Sequence, residues 1–211
     1  MSTTFDIYPS NDRIPTFDEV LKRTTSEYHD FLAEINIQCK PKILAKILNL
    51  ESNIAKEYKL NDPFYWTDES YLWVQVEGIS GGTDGYMWEI EPDDREGWEE
   101  DILSMERCKP IRAKIETCIA QKYRWNFRRS AGQPGAINIL YGVLSGSLAA
   151  ITEGIVYSDD SAWDYEKMPI QGKEFLNAYY RPHLESNATI KHEALSSIEW
   201  AIKEFEQFGN K

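Results

Sequence analysis

The loop Tyr157-Ser-Asp-Asp-Ser-Ala-Trp-Asp-Tyr-Glu166 gathers the carboxylates of Asp159, Asp160, Asp164 and Glu166 around Trp163. Oxygen ligands at this density can hold Mg²⁺ or Ca²⁺, and a pair of carboxylates can divide acid and base roles if their surroundings separate their pKa values. The spacing is not the D-x-[DN]-x-[DN]-G pattern of a calcium loop. The alternative is that Ser158 and the aspartates cap the loop and its turn while Trp163 closes one end of the core.

A second acidic stretch carries Glu89, Glu91, Asp93, Asp94, Glu96, Glu99, Glu100 and Asp101, interleaved with Trp88 and Trp98. Like charges packed this closely repel one another. A chain that keeps them has a field able to steer a basic partner, and tryptophan is enriched in binding hot spots. Against this stands a solvated acidic face with both tryptophans in the core. The stretch from Arg107 to Arg129 reverses the sign, with Tyr123, Trp125 and Phe127 between its cations. Aromatic and basic residues in alternation suit nucleic-acid stacking, but pairing with the neighbouring acids is the expectation here. Ser130-Ala-Gly-Gln-Pro-Gly135 precedes a helix and could receive an anion on free amides, yet it matches neither the P-loop nor G-x-G-x-x-G. It is read as a tight turn. Ser145 and Ser147 lack a G-x-S-x-G elbow and are read as packing residues.

These residues must be positioned by recognisable elements. Residues 135–151 are apolar nearly all round, which marks a buried central helix. Pro134 suits its first turn and Gly154 its C′ position, while Gly142 and Gly146 permit close approach of another element. Residues 5–8 and 123–129 alternate like strands, and 71–77 with 85–91 read as an antiparallel pair joined through 78–84. Residues 43–50 fit strand or helix. Thr16 and Glu19 form a capping box for a helix over 17–35, and a further helix is expected from Pro92 to about Met105. Two more close the chain: a short one at 174–181, and an amphipathic one at 193–208 with Leu195, Ile198, Ile202 and Phe205 on one side. Residues 62–66 form an aromatic loop. The expected architecture is a single α+β domain, a mainly antiparallel sheet packed against the buried central helix and flanked by amphipathic helices.

The 211 residues carry 23 Lys and Arg against 35 Asp and Glu, for a formal net charge of -12. That field disfavours nucleic acid and anionic membrane surfaces and favours a basic protein partner. The three cysteines, Cys39, Cys108 and Cys118, have no C-x-x-C spacing, so neither a disulfide framework nor a zinc site is expected. No secretory pattern opens the chain and the apolar run is shorter than a bilayer span, so a cytoplasmic setting is expected.

The run from Trp125 through Phe127-Arg-Arg-Ser-Ala-Gly132 and the central helix to Gly154-Ile-Val-Tyr-Ser-Asp-Asp-Ser-Ala-Trp-Asp164 resembles uncharacterised bacterial immunity proteins of polymorphic toxin and contact-dependent competition systems. The resemblance covers positions 125–164 and brings no catalytic signature. It implies neutralisation of a toxin by direct binding, which agrees with the acidic surplus if the toxin is basic and nuclease-like. The combined expectation is a non-enzymatic protein without cofactor or metal. Its partner surface would comprise Trp88, Glu89, Glu91, Asp93, Asp94, Trp98, Glu99, Glu100 and Asp101, joined by Asp159, Asp160, Trp163 and Asp164. The alternative is a divalent-metal or hydrolytic enzyme built on loop 158–166. Oligomeric state is left open.

Overall fold

A computed structural model describes residues 2–209; Met1, where the segment read for a secretory pattern begins, lies outside the described residues. The chain runs β1 (Thr3–Tyr8), α1 (Phe17–Glu34), β2 (Ile43–Asn49), β3 (Ala55–Lys56), β4 (Ser70–Val76) and β5 (Thr83–Glu89). There follow α2 (Pro92–Gly97), a π-helical turn (Trp98–Ile102), a 3₁₀ stretch (Glu106–Ile111), α3 (Arg112–Ile119), β6 (Tyr123–Arg129) and α4 (Gly135–Ile151). β7 (Ile155–Tyr157), β8 (Ile170–Gln171), α5 (Gly172–Ala178) and α6 (Ala188–Gly209) complete it. This is a single α+β domain. The eight strands form one antiparallel sheet in the order β3-β2-β4-β5-β6-β1-β7-β8. The ambiguous segment at 43–50 is therefore a strand; pairing along the whole of β4 overrides the helix preference of its Leu, Ala and Lys.

The sheet has two unlike faces because side chains alternate along each strand. On one face Phe5, Ile7, Leu72, Val74, Trp125 and Phe127 are buried beneath a helical layer in which α4 packs against α1, α5 and α6. Every residue of α4 from Gly135 to Ala149 is buried, as its all-round apolar character requires. Each fully buried Ile or Leu there contributes roughly 1.5–3 kcal/mol before conformational entropy is subtracted. A Cβ at Gly142 would run into the Tyr179 ring, and one at Gly146 into Leu176 and Phe175. The two glycines thus let α5 close on α4.

The ends of α4 differ from expectation in an instructive way. Its first free amides, on Gly135 and Ala136, donate to the Glu204 carboxylate of α6 at 3.0 and 2.9 Å. The anion suited to this N-terminus is therefore supplied from within the fold. Pro134 is the N-cap and lies just outside the first turn. At the other end the left-handed residue is Glu153, with φ of 51°, while the Gly154 amide donates to the Ala149 carbonyl at 2.7 Å. The helix thus closes with the long return bond of a Schellman motif. Gly154 is needed for another reason: a Cβ there would strike the Tyr8 carbonyl of β1.

The Thr16–Glu19 capping box forms as expected. In α6 the buried stripe is Ile190, Ala194, Ser197, Ala201 and Phe205, and Leu195 faces outward. Of the large apolar residues expected on one side, Phe205 is buried and Ile198 and Ile202 are half-buried against the core, so only Leu195 is misplaced; Ala194, Ser197 and Ala201 are buried between them.

Candidate functional site

Beyond the helical layer, the sheet's second face carries Tyr71 and Trp73 of β4, Asp84, Tyr86 and Trp88 of β5, and Arg124, Asn126 and Arg128 of β6. Registry places Trp88 opposite Arg124 and Asp84 opposite Arg128. Tyr86 stacks on Trp88 at 5.9 Å and on Tyr71 at 6.3 Å between centroids. The charges of this face are answered internally. Asp84 is buried and accepts from Arg128 Nε at 2.8 Å and from the Tyr86 hydroxyl at 2.9 Å. Asp6 of β1 accepts from Arg124 at 3.2 Å and Asn126 at 3.0 Å. Burial raises the Asp6 carboxyl above its ordinary value, and Arg124 opposes that rise. The basic run at 107–129 is likewise matched at close range: Arg107 with Glu166, Arg112 with Glu116, Lys122 with Glu89, and Arg129 with Glu193.

Segment 88–101 leaves the sheet and folds back across the β1 end of this face. Ile90 is tied by its amide to the Lys122 carbonyl at 2.8 Å. Asp94 of α2 accepts from the Glu91 amide at 3.0 Å and pairs with Arg124 at 3.4 Å. Arg95 donates to the Ile119 and Gln121 carbonyls, tying α2 to the end of α3. Trp98, Ile102 and Leu103 then pin the π-helical turn to the core. Trp98 meets Tyr8 edge-on at 5.1 Å and Tyr157 at 4.7 Å. Trp98 is only 4% exposed, which corrects its expected role as a partner anchor; a core contact holds it where no partner can reach.

With the apolar residues turned inward, the acids of this segment turn outward. Glu89, Glu91, Asp93, Glu96, Glu99, Glu100 and Asp101 are all exposed, and Trp88 is 45% exposed beside them. Glu89 has Lys122 at 3.5 Å. Glu91, Asp93, Glu96, Glu99, Glu100 and Asp101 enter no ion pair among the described residues. An open groove of about 550 Å³ joins Trp88, Glu89, Glu91 and Asp94 to Tyr65 and Asp68 of the aromatic loop.

Loop 158–166 has the opposite character. Asp160 receives the Thr4 amide at 3.0 Å and the Thr4 hydroxyl at 2.8 Å. Ser158 donates to Asp160 at 3.0 Å and accepts from the Ala162 amide at 3.1 Å. Asp164, buried, caps the Glu166 amide at 3.3 Å and lies 3.7 Å from Lys167. Trp163 is 2% exposed and packs edge-on against Phe175 and Tyr179. Trp163 and Asp164 are therefore removed from the expected partner surface, Asp160 is engaged with β1, and Asp159 alone of the four proposed loop residues is exposed. The carboxylates diverge to separate partners, and among the described residues no group of three or more His, Cys, Asp or Glu side chains is placed to hold a metal ion.

Sequence reasoning missed Tyr65 and Asp68. The signal was present in Phe64-Tyr65-Trp66, where Phe64 and Trp66 are buried and Tyr65 between them is 43% exposed. It also missed α3, whose eight residues carry only three buried positions. Cys39, Cys108 and Cys118 are free. No helix among the described residues is long and apolar enough to cross a membrane. Comparison with known protein families, curated proteins and solved structures finds no match for this chain.

Proposed function

We propose that this is a non-enzymatic interaction protein that binds and neutralises a basic protein partner, acting in the bacterial cytoplasm as an immunity protein against a nuclease-like toxin. The observation that carries this reading is the exposed run Glu91, Asp93, Glu96, Glu99, Glu100 and Asp101, which forms no ion pair with a cation among the described residues and is bordered by exposed Trp88. Holding unpaired like charges together costs stability, and a partner bearing Lys and Arg would relieve that cost on binding. The carboxylates would accelerate encounter through their long-range field, and Trp88 would supply apolar burial at the contact. The -12 net charge extends the same field over the whole molecule. The resemblance over 125–164 to toxin-immunity proteins supports the assignment of partner class.

The test is capture of partners from native-host extract on immobilised intact protein at low salt, with elution along a salt gradient. A basic protein that elutes as salt rises, and whose association rate falls steeply with ionic strength, is the expected result. Recovery of no basic protein under these conditions overturns the reading.

A further inference from the structure

The fold repeats one way of holding an arginine. Arg107 lies over Tyr165 at 4.5 Å and pairs with Glu166; Arg181 lies over Phe31 at 4.3 Å and pairs with Glu34. Arg129 lies over Tyr141 at 5.5 Å and pairs with Glu193. Arg124 over Tyr8, paired with Asp6, and Arg128 over Tyr86, paired with Asp84, repeat the arrangement. Each combines an aromatic face, which attracts the cation through the ring quadrupole, with a nearby carboxylate. In Arg124, Arg128, Arg129 and Arg181 the carboxylate accepts N–H donors, whereas Arg107 donates to the Met168 carbonyl at 2.6 Å and has Glu166 at 3.9 Å.

The 550 Å³ groove beside Trp88 presents the same two components. Trp88 and Tyr65 are 45% and 43% exposed, and Glu91 and Asp68 lie on the same lining. Among the described residues no cation of this chain lies over Trp88 or Tyr65, and neither Glu91 nor Asp68 enters an ion pair. At one end, Lys122 stands 4.8 Å from the Tyr123 centroid and 3.5 Å from Glu89, so the groove margin already holds a cation by this chemistry. The groove's own arginine, Arg124, is committed to Asp6, Asp94 and the Tyr8 hydroxyl.

We infer that the groove accepts an arginine side chain from a basic segment of the partner, its guanidinium set against Trp88 and Tyr65 and paired with Glu91 and Asp68. Arginine is favoured over lysine because the planar guanidinium is weakly hydrated, stacks on rings and offers a fork of donors to carboxylates. The inference rests on the partner-binding reading above and names the side chain at its centre.

The probe is an acetylated, amidated peptide of alternating arginine and glycine, titrated into the intact protein at low salt. Binding is followed by calorimetry and by the NMR signals of the tryptophan indole N–H groups. A second peptide replaces each arginine by citrulline, which keeps the shape and removes the charge. The expected result is a shift of the Trp88 indole signal on adding the arginine peptide and loss of binding with citrulline. Trp88→Ala and Glu91→Gln should each weaken the arginine peptide about tenfold, while Trp200→Ala, at another exposed tryptophan, should leave it unchanged. Should Trp88→Ala disturb the fold by circular dichroism, Tyr65→Ala serves in its place. Equal binding of the citrulline peptide, an unmoved Trp88 signal, or equal weakening by Trp200→Ala overturns the inference. Two further outcomes separate it from the broader reading. A native basic partner that binds through Glu99–Asp101 while the groove ignores arginine leaves the function standing and removes this contact. A groove that takes the arginine peptide while no basic partner is recovered does the reverse.

Discussion

Loop 158–166 and segment 88–101 are built from the same materials, tryptophan among clustered carboxylates, yet the fold turns one inward and the other outward. In the loop, Asp160 holds β1 through Thr4, Asp164 caps a 3₁₀ turn, and Trp163 packs edge-on against the stacked pair Phe175 and Tyr179. In the segment, the inward positions are Trp98, Ile102 and Leu103, Asp94 is half-buried and engaged with Arg124 and the Glu91 amide, and the remaining carboxylates between and before them project into solvent. Composition alone could not separate the two. What separates them is the presence of nearby orphan donors: the loop faces the amide and hydroxyl of Thr4, whereas Asp93, Glu96, Glu99, Glu100 and Asp101 on α2 and the π-helical turn face water. Acids that satisfy the fold's own donors are structural, and acids that the fold leaves unpaired are available to a partner.

Breaking the loop should therefore destabilise the protein strongly, while changing the exposed residues of the segment should leave its stability nearly intact. Trp163→Ala removes a fully packed indole and should lower the unfolding free energy by about 3–5 kcal/mol in urea titration; Trp88→Ala should cost less than about 1 kcal/mol in the same assay. Asp160→Ala strands the Thr4 amide and should cost about 1–3 kcal/mol, with faster amide hydrogen exchange along β1 as its local signature.

The seam where the two regions meet carries a pH dependence. Tyr8 lies beneath Trp98, and burial raises its hydroxyl from 10.0 to about 12, with Asp6 adding to the rise. The neutral form is the one the fold favours, so this stabilisation is complete below pH 10 and is lost as pH climbs toward about 12. Urea midpoints across that range should fall in the native chain, and Tyr8→Phe should flatten part of the slope. A slope unchanged by Tyr8→Phe would detach this seam from the alkaline transition.

The smallest stability effect is expected where the largest binding effect lies. Glu99→Gln, Glu100→Gln and Asp101→Asn combined should alter stability by no more than about 0.5 kcal/mol, while slowing association with a basic partner at low salt.

Much of this architecture was legible in the sequence because local chemistry and burial agreed. The Thr16–Glu19 box, the alternation in β6, the antiparallel pairing of β4 with β5 and the all-apolar α4 each read the same way at every level, although β5 spans Thr83–Glu89 rather than 85–91. The failures came where tertiary contacts reassigned a residue. Gly154 reads as a helix cap but is demanded by the approach of Tyr8, leaving the left-handed position to Glu153. Leu195 reads as core, but close packing on α4 selects Ala194, Ser197 and Ala201 instead. In the candidate site, the acids of 89–101 were visible from composition. The inward turn of Trp98 and the contribution of Tyr65 were not, since both depend on strands far apart in the chain being brought together.

The central claim is that 88–101 meets the partner and 158–166 does not. The direct measurement is the affinity of the captured basic protein for three forms: the native chain, a form with Glu91, Glu96, Glu99 and Glu100 changed to Gln, and a form with Asp159→Asn and Glu166→Gln. The first variant should lose at least about tenfold in affinity, and the second should keep native affinity. Native affinity in the first variant, or an equal drop in both, would contradict the claim.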